Sequence, residues 1–343
     1  MKLASDFDQI EAAAARLLAG GLVAFPTETV YGLGADAENP EAIAAIYATK
    51  GRPSNHPVIV HVAPGAQLDY WACDIPDMTW ALTEAFWPGP LTLILRRAPH
   101  VPDAVSGGQD TIGLRCPSHP VAQALLAQFA ALKGGHGGVA APSANKFGQV
   151  SPTTADHVRA EFPDMTSSEL LILDGGASSV GIESTILDLS RAGAGQAPVL
   201  LRPGHIGAKE IADVIGMMPS QEAGADAPRV SGSLKAHYAP HTPLRIVSRE
   251  TLLAMLAQAS DGLRRVVLGF GDAPVATGDL ANKGWQWVKA SGRADTYAHD
   301  LYARLRDMDR LGFDLILVEQ PPQTPSWQAI NDRIGRAAAA FGH

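Results

Sequence analysis

The side chains best suited to chemistry fall in three stretches of the amino-acid sequence. Pro26-Thr27-Glu28-Thr29-Val30-Tyr31-Gly32-Leu33-Gly34 sets hydroxyls, a carboxylate and glycines directly after the apolar run Leu22 to Phe25. Lys50-Gly51-Arg52-Pro53 puts two cations at the end of a helical pattern, and Val58-Ile59-Val60 leads into His61. An arginine fork donates paired hydrogen bonds to a phosphate and keeps its charge at any working pH, while a lysine adds a mobile point charge. A cation–phosphate contact of about 4 Å at a partly screened site is worth about 4 kcal/mol before desolvation is subtracted. Lys50 and Arg52 therefore suit a phosphate clamp. Taken alone they suit a solvated helix end better, since that terminus favours cations without any ligand. The hydroxyl-rich loop and His61 nearby tip the balance toward the clamp.

Further polar groups carry two readings each. Ser143 and Asn145 follow Val139-Ala140-Ala141 and Pro142, and they face the same way if strand geometry continues. They suit a phosphate and a base or ribose edge, or a turn that satisfies its own backbone. Ser184 and Thr185 have the same two readings. Arg115 and Arg202 each end an apolar run, as a surface ion pair or as the receptor of a carboxylate-bearing ligand. The sequence contains no Gly-x-x-x-x-Gly-Lys-Ser/Thr loop, no Gly-x-Gly-x-x-Gly after a strand and no Gly-x-Ser-x-Gly. His237 and His241 have helical metal-ligand spacing, but Pro240 between them disfavours a shared helical face and a zinc site. The aromatic residues are scattered and form no stacking ladder for single strands.

Periodicity predicts the elements that position these groups. Asn39 is an N-cap with Pro40 at the first helical position; Ile43, Ile46 and Tyr47 share one face, and Gly51 and Pro53 stop the helix. Asp8 and Glu11 form a capping box for a helix that sets Ile10, Ala13, Ala14, Leu17 and Leu18 on one face and ends at Gly20-Gly21. Gln67 to Phe86 is helical in pattern, Ser118 caps a helix running to about Ala131, another helix starts near Thr153 or Thr154, and Ala208 to Ile215 is a short one. Strands are expected at Leu91 to Leu95, Thr111 to Arg115, Val139 to Ala141, Leu170 to Leu173, Ser184 to Leu189 and Val199 to Arg202. Strands separated by helices, with some neighbours antiparallel, make a mixed α/β sheet. Met217 to Pro228 is polar and aperiodic, hence a linker. The pattern restarts with strands at Leu244 to Val247, Arg265 to Phe270, Trp287 to Lys289 and Leu315 to Glu319. Helices Glu250 to Gln258, Tyr297 to Leu311 and Trp327 to Ala340 complete a small α/β domain of about a hundred residues, an ordinary domain size.

The chain's 343 residues are long for one core and suit two. A formal charge of −8 argues against coating nucleic acid through bulk charge. It leaves room for a local cationic pocket drawn from Lys50, Arg52, Arg115, Lys146 and Arg202. The two cysteines, Cys73 and Cys116, are too few for a disulfide framework or a structural zinc site. Met1 to Asp8 has no cationic start before an apolar segment, and no apolar run approaches the ~18 residues that span a bilayer. The expectation is a soluble, cytoplasmic protein without membrane contact.

Taken in order, Pro26-Thr27-Glu28-Thr29-Val30-Tyr31-Gly32-Leu33, Lys50-Gly51-Arg52-Pro53, Trp87-Pro88-Gly89-Pro90-Leu91-Thr92, Gly113-Leu114-Arg115, Pro142-Ser143-Ala144-Asn145 and Glu183-Ser184-Thr185 closely resemble the YrdC-like L-threonylcarbamoyladenylate synthases. Lys235-Ala236-His237-Tyr238-Ala239-Pro240 and Asn331-Asp332-Arg333-Ile334 resemble the long, two-domain form of that family. The resemblance implies a twisted mixed-sheet YrdC-like domain at residues 5–215, a linker at 216–243 that covers the active site, and a smaller Rossmann-like α/β domain at 244–343. It implies condensation of L-threonine, bicarbonate and ATP to threonylcarbamoyl-AMP and pyrophosphate, with Mg2+ carried mainly by the phosphates. The product would serve the N6-threonylcarbamoyladenosine modification of tRNAs reading ANN codons, through hand-over to a tRNA threonylcarbamoyl transferase, with direct RNA contact left open. By the same resemblance, Thr29, His61, Arg115, the Ala141 backbone and Ser184 hold threonine. Arg52, His56, Thr111, Ser143, Asn145, Ser151 and Arg202 line the ATP site, Lys50 and Arg52 act on the phosphates, and Tyr238 folds back over the nucleotide. Many relatives have asparagine where His56 stands and Ser-Pro-Gly where this chain reads Ser231-Gly232-Ser233.

Two other functions fit the same fold. A non-catalytic RNA-binding module would use the cationic hollow for an RNA backbone, and the acidic net charge weighs against it. A carbamoyl transferase using carbamoyl phosphate would resemble a related domain of hydrogenase-maturation proteins, which carry cysteine-rich zinc modules that two cysteines cannot build.

Overall fold

A computed structural model describes residues 2–192, 196–222, 224, 226–257, 262–274 and 277–342. They form two compact units, Met1–Phe147 with Ser151–Ser233, and Gly148–Val150 with Leu234–His343. In the first unit the order is α1 (Lys2–Leu18), β1 (Leu22–Phe25), β2 (Gly32–Asp36), α2 (Pro40–Lys50), β3 (Ile59–Val62), α3 (Leu68–Trp71), β4 (Ala72–Cys73) and α4 (Met78–Phe86). Then come β5 (Leu91–Arg97), a 3-10 turn (Asp103–Ser106), β6 (Thr111–Arg115), α5 (Pro120–Leu132), β7 (Gly138–Ala140), α6 (Ala155–Glu161), β8 (Leu170–Ile172), β9 (Thr185–Asp188), β10 (Val199–Arg202) and α7 (Ala208–Ile215).

The strands make one ten-stranded sheet in the order β10-β9-β5-β6-β3-β7-β2-β1-β8, with β4 paired to β5. Its pairing is mixed: β3 with β6, β5 with β9 and β1 with β8 are parallel, while β1 with β2 and β5 with β6 are antiparallel. Successive side chains of a strand point to opposite faces, and β1 divides accordingly. Val23 and Phe25 join Ile10, Ala13, Leu17, Leu125 and Phe129 of α1 and α5 in one core. Leu22 and Ala24 join Ile43, Ile46, Trp71 and Leu82 in another.

Local signals at α2 act as read. Asn39 Oδ1 accepts from the N–H groups of Glu41 and Ala42 at 3.0 and 3.1 Å, and Gly51 ends the helix at φ +63°, a left-handed conformation that suits glycine. Four expectations change. Asp8 and Glu11 form no capping box, because α1 runs straight through them and leaves both exposed on its polar side. Ser118 is not the cap of α5; His119 Nδ1 accepts from Val121 N–H at 3.2 Å and Pro120 opens the helix. Gly32-Leu33-Gly34, the end of the stretch read as a polar loop, belongs to the buried strand β2. A Cβ at Gly34 would come within 2.8 Å of both Phe25 and Val139, so close packing, not turn chemistry, demands glycine there. The helical stretch from Gln67 to Phe86 is likewise split into α3 and α4 by β4.

The second unit runs β11 (Leu244–Val247), α8 (Arg249–Ala257), β12 (Arg265–Phe270), α9 (Thr277–Asn282), β13 (Trp285–Ala290), α10 (Ala294–Arg310), β14 (Leu315–Glu319), a 3-10 turn (Pro325–Trp327) and α11 (Gln328–Ala339). Gln258, the expected end of α8, and His343 lie outside the described residues. Its four strands, ordered β11-β14-β12-β13, are all parallel. Ile316, Leu317 and Val318 are fully buried, the continuous apolar run that a strand covered on both faces requires. Helix α9 was not anticipated, since Thr-Gly-Asp-Leu-Ala-Asn has too little periodicity to announce it.

Candidate active site

Strands β3 and β6 lie parallel with His61 in register with Arg115, so both side chains leave the sheet on one face. Arg115 is 4% exposed and held from three sides. Its Nη1 donates to Thr29 Oγ1 at 2.8 Å, its Nε donates to the Gly89 carbonyl at 3.3 Å, and its Nη2 lies 2.7 Å from Glu28 Oε1. That last contact is an ion pair without hydrogen-bond alignment: neither Nη2 nor Oε1 has a hydrogen-bond partner among the described residues. Glu28 Oε2 accepts from Ser118 N–H at 3.0 Å. The loop bearing Glu28 and Thr29 owes its shape to Thr27, whose hydroxyl accepts from the N–H groups of Thr29 and Val30 and donates to the Val30 carbonyl.

His61 is buried edge-on against Phe25, with ring centroids 6.0 Å apart, and its Nδ1 has no hydrogen-bond partner among the described residues. Burial, then the charge of Arg115, pulls its pKa down to about 3. His61 is thus a neutral imidazole in register with a guanidinium that Thr29, Gly89 and Glu28 hold in place. That pair can receive an anionic group and a hydrogen-bond donor together.

A second group gathers around two arginines. Arg202 Nε and Nη2 donate to the carbonyl and hydroxyl of Ser184, both at 3.0 Å, and Nη1 donates to the Ser231 carbonyl at 2.8 Å. Arg52 Nη2 donates to the Pro57 carbonyl at 2.8 Å and to Ser231 Oγ at 3.1 Å. Ser184 also shares a 2.7 Å hydroxyl contact with Thr92. Val230 is buried among Ile94, Ile186, Ile59 and Leu201, which seats the segment carrying Ser231 on the sheet. Arg52 lies 5.8 Å from the Phe147 ring centre, and His56 meets the same ring edge-on at 5.4 Å. Partial burial and the charges of Arg52 and Arg229 lower the His56 pKa.

Lys50 is buried and donates to the carbonyls of Ser143, at 2.6 Å, and Asn145. Burial first, then Arg52, pulls its pKa well below the usual lysine value. The ammonium therefore ties the end of α2 to the Ser143–Asn145 turn. Asn145 Nδ2 donates to the Lys146 carbonyl at 2.7 Å, and Ser151 Oγ donates to Glu183 Oε1 at 2.6 Å. Thr111 is buried at the start of β6. The Ala141 N–H is spent on the Ile59 carbonyl at 2.9 Å, which leaves its carbonyl as the group to offer a ligand. Tyr238 belongs to the second unit, where its ring packs against Tyr302 and lies 5.3 Å from the Arg333 guanidinium carbon.

Among the residues singled out from sequence, Thr29, His61 and Arg115 thus form one cluster, Arg52, Ser184 and Arg202 a second joined through Ser231, and Lys50, Ser143 and Asn145 a third. Sequence reasoning gave no role to Glu28, Thr92, Glu183 or Ser231. A carboxylate set between two threonines directly after a buried strand was the available signal for Glu28. For Ser231, the available signal was its place in Ser231-Gly232-Ser233, where many relatives have Ser-Pro-Gly, within the linker expected over the site.

Comparison with known proteins adds the following. The family described as "Telomere recombination" (Sua5, YciO and YrdC) matches residues 15–204, and "Threonylcarbamoyl-AMP synthase, C-terminal domain" matches residues 206–339. The threonylcarbamoyl-AMP synthase of Bacillus subtilis is 40% identical over 98% of this chain and 95% of its own length. That of Pyrococcus abyssi is 36% identical over 96% of this chain and 94% of its own. A crystal structure of P. abyssi Sua5 complexed with L-threonine superposes with a TM-score of 0.82 at 34% identity, covering 96% of this chain and 94% of that one.

Proposed function

Because the chain belongs to the threonylcarbamoyl-AMP synthase family, we propose that its first unit condenses L-threonine, bicarbonate and ATP, releasing pyrophosphate. It is an enzyme that makes threonylcarbamoyl-AMP. The observation that carries the substrate reading is the buried Arg115, held by Thr29 and Glu28 and in register with the neutral His61. An α-amino acid fits such a receptor: its carboxylate takes the guanidinium, and its amine or hydroxyl donates to the imidazole. Arg52 and Arg202 lie on the nucleotide side and would take the phosphate oxygens in place of the Ser231 hydroxyl and carbonyl. Lys50, His56, Thr111, Ser143, Asn145 and Ser151 complete the ATP side, with Ser184 and the Ala141 carbonyl on the threonine side.

In this reading the neutral amine of threonine attacks the carbon of bicarbonate, which loses water, or of CO2, with loss of a proton from the amine, and either route gives a carbamate. A carbamate oxygen then attacks the α-phosphorus of ATP, the α–β phosphoanhydride bond breaks, and pyrophosphate departs with the electron pair. No enzyme nucleophile takes part; positioning and charge stabilisation carry the rate. Among the described residues no group of three or more His, Cys, Asp or Glu could hold a metal. Mg2+ would ride on the phosphates, its usual place in nucleotide sites.

Segment 229–233, seated by Val230, serves as a cover that limits water attack on the labile product. Boundaries near 5–215, 216–243 and 244–343 for catalytic domain, linker and second domain belong to the same proposal, as does Tyr238 closing over bound nucleotide. The product passes to a tRNA threonylcarbamoyl transferase in the cytoplasm. Among the described residues no helix is long and apolar enough to cross a membrane. The test incubates purified protein with ATP and omits threonine or bicarbonate in turn: pyrophosphate release should need both, and equal release without threonine overturns the assignment.

A further inference from the structure

A hollow of about 380 Å³ opens in the first unit between α4 and the chain that follows β3, and none of the residues assigned above lines it. Trp80, Glu84 and Trp87 stand at i, i+4 and i+7, so they project from one side of α4 and its C-terminal cap, and all three line the hollow. The Trp87 indole is fixed by its Nε1 donating to the Leu91 carbonyl at 2.8 Å. Trp80 is 50% exposed, an unusual amount for the largest apolar side chain, and forms the rim. Val62, Ala63 and Pro64 supply apolar wall. Glu84 forms no ion pair among the described residues, and no Lys, Arg or His among them lines the hollow. The one other ionisable group there, the Cys116 thiol, stays neutral because burial raises its pKa to about 12.

The single charge of this aromatic hollow is thus a carboxylate set between two indoles about 10 Å apart along the helix axis, by the rise of 1.5 Å per residue. A phosphate or an RNA backbone would meet only repulsion here. A neutral apolar ligand would make no use of Glu84. An organic cation uses everything present, since ring faces attract it and the carboxylate completes the contact. A planar guanidinium suits the arrangement better than an ammonium, because it stacks on indole while its fork meets the carboxylate. Free arginine would bring its own carboxylate against Glu84 with no cation to receive it. We propose that this hollow is a docking socket for an arginine side chain presented by a partner protein.

The test titrates the full chain with the capped peptide acetyl-Gly-Arg-Gly-amide, followed by calorimetry and tryptophan fluorescence. Parallel titrations use the same peptide with neutral, isosteric citrulline, and free L-arginine. The arginine peptide should bind saturably with a midpoint on the order of millimolar, as one anchor residue without its surrounding interface allows. Citrulline in its place should weaken binding at least about tenfold, and Glu84→Gln and Trp80→Ala should each do the same. Both variants change exposed side chains, so pyrophosphate release with threonine and ATP should stay at the level of the unaltered protein. No saturable binding, equal binding of the citrulline peptide, or unweakened binding to Glu84→Gln would overturn the socket. Equally tight binding of free arginine would overturn the partner protein in favour of a small metabolite.

Discussion

Replacing Glu28 by glutamine keeps the size and shape of the side chain and removes the charge beside Arg115. Both partners are nearly sealed from water, at 4% and 5% side-chain exposure, so solvent does little to screen the lost attraction. Removing one member of a buried ion pair typically costs about 3–5 kcal/mol, because the remaining charge stays desolvated without compensation. The glutamine oxygen can still accept from Ser118 N–H, which recovers about 1 kcal/mol of an ordinary hydrogen bond. A net loss of about 2–4 kcal/mol is expected, a large share of the 5–15 kcal/mol that holds a typical domain folded. Urea unfolding should therefore show a lower midpoint at unchanged slope.

The same variant leaves Arg115 with a fuller positive charge, which a substrate carboxylate can neutralise. Saturating L-threonine should then raise the unfolding midpoint of Glu28→Gln by at least as much as it raises that of the unaltered protein. A ligand at about a hundred times its dissociation constant stabilises by about 2.7 kcal/mol, well within reach of the assay. A stability loss below about 1 kcal/mol would mean that water reaches the pair after all. Loss of the threonine effect in Glu28→Gln would mean that Arg115 is not the carboxylate receptor.

Three other outcomes are expected. His61 binds its proton only near pH 3 in the folded chain, against an ordinary value of 6.5, so between these values the unfolded chain holds one proton more. Its contribution is complete above pH 6.5 and is lost by about 1.4 kcal/mol per unit as the pH falls toward 3. His61→Asn should flatten the acid limb of the stability curve by one proton, and an unchanged slope would show that the imidazole titrates normally. Arg52→Ala should lower kcat/KM for ATP by about a hundredfold, as loss of a charge-stabilising donor does; near-normal turnover would place the phosphate contact elsewhere. Ending the chain after Met217 removes Val230 and Ser231 from the site as well as Tyr238. Pyrophosphate release should fall, and full activity in the shortened chain would exclude any cover from the mechanism.

Much of the fold could be read without coordinates wherever neighbours in sequence decide it. The Asn39-Pro40 start and Gly51 stop of α2, strands β6, β11, β12 and β14, and the helix from Ala208 to Ile215 rest on caps, turns and apolar periods a few residues long. His61 and Arg115 stood out as polar residues at the ends of apolar runs and Arg52 as a cation at a helix end, while the resemblance pointed to Thr29 and Ser184. Contacts made across the sheet were beyond such reasoning. Gly32–Asp36 becomes a strand because β1 and β7 close on it and leave no room for a Cβ at Gly34. Arg115 meets Thr29 across 86 residues, and Arg52 meets Ser231 across 179. Local propensity carries no record of such pairs. They form only when burial of the two cores brings distant segments together, and there desolvation of Arg115 and His61, which no sequence window contains, sets the charge states on which the chemistry depends.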